Sequence, residues 1–187
     1  GSPTNPQFTT SLTNPFGLLS NSSVMCPSIC DIDNDGDLDI MIGSSQYYGG
    51  GSIIFIENIG TPNNPSFNTP QTSPFGLPNT ASLILPTFTD LDNDGDYDMI
   101  YIDYYGYNGS EFQYCENIGS TSLPQFNTPT TNPFNLSLTN YLDINGVLCF
   151  NDLDSDNDND LILGSDDGEV LYFENVGTIQ PITYECI

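Results

Sequence analysis

The chain has 187 residues, a formal net charge of −25 at pH 7, and no Lys, Arg or His at all. Without a cationic side chain it cannot neutralise phosphates, which argues against nucleic acid and anionic membrane surfaces as partners and points to cations instead. At ordinary usage about 12% of residues would be basic, so their absence reflects selection or excision between basic sites rather than drift. The 37% of hydrophobic residues, with 11 Phe and 11 Tyr, argues for a packed core over disorder. No apolar run is long enough for a membrane-spanning helix, and no charged-then-apolar leader opens the sequence. The expectation is a secreted chain, mature or stripped of its export signal, with no membrane insertion.

From the N-terminus onward the sequence repeats itself. Asn5-Pro6-Gln7-Phe8 returns 59 residues later as Asn64-Pro65-Ser66-Phe67, and again as Leu123-Pro124-Gln125-Phe126. Pro15-Phe16-Gly17-Leu18 returns as Pro74-Phe75-Gly76-Leu77 and Pro133-Phe134-Asn135-Leu136, and Glu57-Asn58-Ile59-Gly60 as Glu116-Asn117-Ile118-Gly119 and Glu174-Asn175-Val176-Gly177. The division is repeat 1 over 1–63, repeat 2 over 64–122, repeat 3 over 123–178, and a tail over 179–187 that begins a fourth repeat or serves as an assembly strand. No segment has a sustained helical period. In the first repeat, strands are predicted at Val24 to Cys30, Leu38 to Gly43 and Ser52 to Glu57, with Pro65 to Thr69 supplying a fourth. Ile53-Ile54-Phe55-Ile56 is apolar at both parities, so both faces of its sheet should be covered. The predicted class is all-β, with three tandem four-stranded units.

Between the first two strands of each unit lies an aspartate loop: DIDNDGDLDIMIG from Asp31, DLDNDGDYDMIYI from Asp90, and DLDSDNDNDLILG from Asp152. Carboxylates at alternate positions followed by a tight turn wrap oxygen ligands around a hard cation, and calcium takes six to eight of them. Asp31, Asp33, Asp35 and Asp39 are the candidate ligands of the first loop, with Gly36 turning the chain and Asp37 offering its carbonyl. Asp90, Asp92, Asp94, Asp98 and, by carbonyl, Asp96 make the second. Asp152, Asp154, Asp156, Asp160 and, by carbonyl, Asp158 make the third. No Glu follows at position 12 and no helices flank the loops, so they are not EF-hands. Asn157 stands where the other loops have Gly36 and Gly95, and enters the left-handed region less readily, so the third site is expected to be the weakest. About three calcium ions are expected. Magnesium, which prefers a small octahedral shell and retains waters, suits these loops less well. Mutual repulsion of the carboxylates should oppose folding without metal.

The run NPSFNTPQTSPFGL, an apolar strand, DLDNDGDYDMIYI, and a strand ending in ENIGST together resemble the VCBS/FG-GAP repeats, calcium-binding β-propeller blades related to those of integrin α-subunit heads. The resemblance covers about residues 1–178. It implies an extracellular or cell-surface protein, blades of four antiparallel strands, and one calcium per blade in the loop between the first two strands. Three blades are too few to close the family's ring, so the sheets should remain open or be completed by oligomerisation. A strand near Pro6 to Thr9 is then left to pair with a neighbour's sheet edge.

The five cysteines, Cys26, Cys30, Cys115, Cys149 and Cys186, fit no zinc spacing. Their odd number leaves at least one unpaired within the chain: Cys186 is a candidate for an intermolecular disulfide, while the alternative makes all five small core residues. Asn21, Asn108 and Asn135 head N-glycosylation sequons. Tyr101, Tyr104, Tyr105 and Tyr107 form either a sugar-stacking surface or a strand end packed on the next blade. No nucleophile elbow, phosphate loop or zinc signature occurs, and the aspartates are accounted for as ligands, so no enzymatic activity is expected. The functional expectation is a secreted calcium-binding structural or adhesion protein, self-associating head to tail into a filament or surface layer. The alternatives are a carbohydrate- or protein-binding propeller module and a fragment of a longer propeller protein.

Overall fold

A computed structural model describes residues 4–7, 10, 11, 13, 24–45, 50–80, 83–104, 109–138, 146–165, 168–177 and 182–186. The chain is all-β, with three four-stranded antiparallel sheets. The first sheet contains β1 (Val24–Cys30), β2 (Asp39–Ser45), β3 (Gly51–Ile56) and β4 (Gln71–Thr72). The second contains β5 (Thr87–Thr89), β6 (Asp98–Tyr104), β7 (Ser110–Cys115) and β8 (Thr130–Thr131), and the third β9 (Gly146–Asn151), β10 (Asp160–Ser165), β11 (Val170–Asn175) and β12 (Tyr184–Cys186). Each is a meander in which a strand pairs with the next in sequence, because the aspartate loop and the following turns are short enough to return the chain antiparallel.

The sheets do not coincide with the sequence repeats. β4 comes from the start of repeat 2, β8 from the start of repeat 3, and β12 from the 179–187 tail. The fourth strand also differs from the expected Pro65 to Thr69. That segment folds back on the Glu57 to Gly60 turn, where Ile59 N–H donates to Ser66 O at 2.7 Å and Asn68 N–H to Glu57 O at 2.8 Å. Asn58 pairs with Phe67 only as an isolated bridge. Ladder pairing resumes at Gln71–Thr72, opposite Phe55 and Ile54.

Alternation along the strands gives each sheet two apolar faces. Met41, Ile53 and Phe55 of the first sheet share a buried cluster with Met99, Tyr101, Cys115 and Phe126 of the second. On the other face of the second sheet, Ile100, Ile102, Phe112 and Tyr114 pack with Leu148, Leu161, Leu163 and Phe173 of the third. Successive residues of β6 therefore enter different cores, so the middle sheet is buried on both sides. Inter-sheet contacts run β1 to β5 and β5 to β9, first strand against first strand. Tyr101, one of the tyrosines considered for a binding surface, is only 2% exposed in the core; 105–108 lie outside the described residues.

The Pro-Phe-Gly-Leu motif makes a short 3-10 turn whose phenylalanine is left-handed, φ 60° at Phe75 and 55° at Phe134. Such a residue carries strain of about 1–3 kcal/mol. Ring packing offsets it: Phe75 meets Phe55 edge-on at 5.1 Å and Phe134 meets Tyr114 at 4.8 Å. Phe75 O also accepts from Phe126 N–H at 2.8 Å, tying the turn to the next sheet.

Candidate metal sites

Each aspartate loop is wound around its first carboxylate. Asp31 Oδ1 accepts from Asp35 N–H at 3.0 Å and Oδ2 from Gly36 N–H at 3.1 Å. Asp90 does the same for Asp94 and Gly95, and Asp152 for Asp156 and Asn157, all at 3.1 Å. The fifth position then accepts from the seventh: Asp35 from Asp37, Asp94 from Asp96, and Asp156 from Asp158. To close so tightly the chain turns left-handed twice per loop. The sixth position, expected to do so, has φ 95° at Gly36, 99° at Gly95 and 75° at Asn157. The fourth does so as well, at Asn34, Asn93 and Ser155. Asn is among the residues that reach this region most readily, so Asn34 and Asn93 were a legible signal for a second turn.

In every loop three carboxylates bring one oxygen each to within 4.8 Å of one another: Asp31, Asp33 and Asp39; Asp90, Asp92 and Asp94; Asp152, Asp154 and Asp156. Two oxygens on opposite sides of one calcium lie about 4.8 Å apart, twice a metal–oxygen distance of about 2.4 Å. The seventh position contributes more than the carbonyl expected of it. Asp37 is 6% and Asp96 7% exposed, and Oδ1 of Asp37, Asp96 and Asp158 is buried with no hydrogen-bond partner, as is Asp33 Oδ1. A buried anionic oxygen without a donor is costly unless a cation meets it, and the sequence supplies no cationic side chain. The donor set therefore suits a hard cation.

Electrostatics carry the same strain. Burial, reinforced by Asp94, Asp92 and Asp90, pushes the Asp96 carboxyl up to about 6. Burial and the neighbouring Asp156 and Asp160 push Asp158 to about 6. Burial raises Asp37 too, with Asp35 and Asp31 adding to it.

The ninth position is a brace as well as a candidate ligand. Asp39 Oδ1 accepts from Asn58 N–H at 2.7 Å, Asp98 Oδ1 from Asn117 N–H at 2.8 Å, and Asp160 Oδ1 from Asn175 N–H at 2.9 Å. The asparagine side chain organises the next turn: Asn58 Oδ1 accepts from Gly60 and Ser66 N–H, and Asn117 Oδ1 from Gly119 and Gln125 N–H. Glycine follows because a Cβ at Gly60 would stand 2.5 Å from Asn64 O. The Glu-Asn-x-Gly motif is thus fastened to the aspartate loop. Side by side at one end of the sheets, the loops of the first two line a cleft of about 400 Å³ that includes Asp31, Asp90, Asp96 and Tyr97. Asp90 and Asp158 line the next.

The remaining candidates scatter. Cys30 and Cys115 are buried, Cys26 is half-buried, and Cys149 and Cys186 are exposed; none is bonded to another. Burial pushes the Cys30 and Cys115 thiols up to about 12. Asn135 is exposed, and its Nδ2, the atom a glycan would take, donates to Tyr184 O at 3.2 Å. Asn21 and Asn108 lie outside the described residues. Comparison with protein-family models, curated proteins and solved structures yields no match to this chain.

Proposed function

We propose that the chain is a non-enzymatic, secreted calcium-binding structural or adhesion protein built of propeller-like blades of the VCBS/FG-GAP kind. The observation that carries the calcium reading is the buried, unpartnered carboxylate oxygen at the seventh position of all three loops, beside a carboxylate triad in each. The ion joins the first two strands of a blade and discharges its loop. Native mass spectrometry of the full chain tests this: about three calcium ions retained per chain are expected, and a chain that retains none overturns the assignment.

The reading extends to self-association. The face of the first sheet bearing Met41 and Phe55 is covered by the face of the second bearing Met99 and Tyr101, and the third sheet covers the second's Ile100 and Tyr114 face in the same sense. The third sheet's equivalent face, with Ile162 and Tyr172 half-buried and Val147 and Val170 55% and 69% exposed, meets no further sheet among the described residues. At the other end Ile29 and Leu38 are exposed, whereas their counterparts Phe88 and Tyr97 pack onto the preceding sheet. A second copy placed head to tail covers both ends, and repetition of that heterologous contact gives a filament or layer.

A further inference from the structure

The three loops are nearly identical in sequence, but their ninth carboxylates differ in what they have left to offer a cation. In the second sheet Asp98 Oδ2 accepts from Leu91 N–H at 3.2 Å and from the Tyr114 hydroxyl at 2.9 Å. A carboxylate oxygen has two lone-pair positions, so these two donors fill it. Its other oxygen is held by Asn117 N–H. In the third sheet Asp160 Oδ2 accepts from Leu153 N–H at 3.1 Å, and the pKa of the Tyr172 phenol, at the same register as Tyr114, is raised by burial and by the neighbouring Asp160. Tyr114 stands opposite Ile100, and Tyr172 opposite Ile162, in each case two residues beyond the ninth aspartate on the same face. The residue at this register in the first sheet is Phe55, opposite Met41. It has no hydroxyl, and Asp39 Oδ2 keeps only a long 3.4 Å contact from Ile32 N–H.

The oxygen clusters follow the same division. Asp39 belongs to the triad of the first loop, with Asp31 and Asp33. In the second and third loops the ninth aspartate is left out, and the exposed fifth position, Asp94 or Asp156, takes its place. The first triad therefore includes a carboxylate only 1% exposed, and the other two are closed by solvated ones.

We propose that the phenol at this strand position sets the cation affinity of each loop: Tyr114 and Tyr172 withhold Asp98 and Asp160 from the ion, and Phe55 leaves Asp39 free to bind it. The inference rests on the calcium reading above and refines it. It ranks the first site as the tight one and the other two as weaker, a different order from that expected of Asn157 alone. Tyr114 and Tyr172 act through the ninth aspartate and are positioning residues.

Calorimetric titration of calcium into the full chain, stripped with chelator and dialysed, separates the possibilities. The unaltered chain should give one tight and two weaker steps. Tyr114→Phe should turn one weak step into a tight one, by about tenfold, the scale of a hydrogen bond to a charged group. Tyr172→Phe should do so independently, and the double variant should show three tight steps. Each change deletes a single hydroxyl, and a melting curve confirms that the variant is folded. An unchanged isotherm in both variants, or a uniform shift of all three steps, overturns this inference and leaves calcium binding standing. Absence of any calcium heat in the unaltered chain overturns both.

Discussion

Asn58 N–H and Asp39 Oδ1 meet at 2.7 Å across 19 residues of sequence, so the end of the first aspartate loop and the start of the Glu-Asn-x-Gly turn are one construction. Asp39→Ala removes the acceptor of both Asn58 and Ile32 N–H, leaving buried donors unmet at a cost of about 1–3 kcal/mol each. The loss should appear in urea melts both with calcium and with chelator, because the brace does not depend on the ion. Asp33→Ala, which removes a candidate ligand whose buried Oδ1 has no hydrogen-bond partner, should lower stability far more in calcium than in chelator.

Glycine positions separate into two kinds. Gly60→Ala and Gly119→Ala drive a Cβ to within 2.5 and 2.3 Å of backbone oxygens, and should lose about 1–3 kcal/mol, the usual range for overpacking. Gly164→Ala meets nothing within 4 Å and has no positive φ, so thermal unfolding should find it neutral or stabilised by about 0.4–1 kcal/mol.

Asn157→Gly relieves a left-handed φ of 75° in the third loop. Left-handed strain is about 1–2 kcal/mol for a residue with a Cβ and less for Asn, so a gain of up to about 1 kcal/mol in thermal unfolding is expected. The reverse exchange, Gly95→Asn at φ 99°, should lose a comparable amount.

Stability without metal should fall as pH rises. Burial, partly countered by hydrogen bonds from Asn58 and Ile32, lifts Asp39 to about 7. Burial likewise lifts Asp98 to about 7 and Asp96 and Asp158 to about 6. Since these folded-state values exceed the ordinary carboxylate value of 3.8, the unfolded chain releases its protons first and is favoured as pH climbs from about 4 to about 7. Melting temperatures in chelator should decline across that window. With saturating calcium, which needs the ionised carboxylates, the decline should vanish or reverse.

Val147 and Val170 test the head-to-tail contact. Both are more than half exposed on the third sheet, so Val170→Glu should change chain stability by less than about 0.5 kcal/mol. Sedimentation in calcium should show the unaltered chain growing in mass with concentration and the variant remaining a monomer.

Much of this architecture was legible because its signals are local. The alternation of Asp with Asn and Gly announced the loops, and the apolar run at Ile53 to Ile56 announced a strand with apolar side chains on both faces. Of these, Ile53 and Phe55 are buried against the second sheet and Ile54 is half-buried. What stayed hidden depends on partners far along the chain. Gln71–Thr72 is polar and only two residues long, and becomes a strand because β3 offers it an edge. The brace at Asp39 requires Asn58, and the phenol at Asp98 requires Tyr114, 16 residues away. The burial of the Asp37 side chain is not visible in the spacing alone, because it follows from the strand that begins at Asp39.

Thermal unfolding of the full chain in calcium and in excess chelator reads directly whether calcium at the aspartate loops completes the fold. A substantially lower melting temperature is expected in chelator, restored by calcium and much less by magnesium at the same concentration. Superimposable melting curves in the two conditions would contradict that role for calcium.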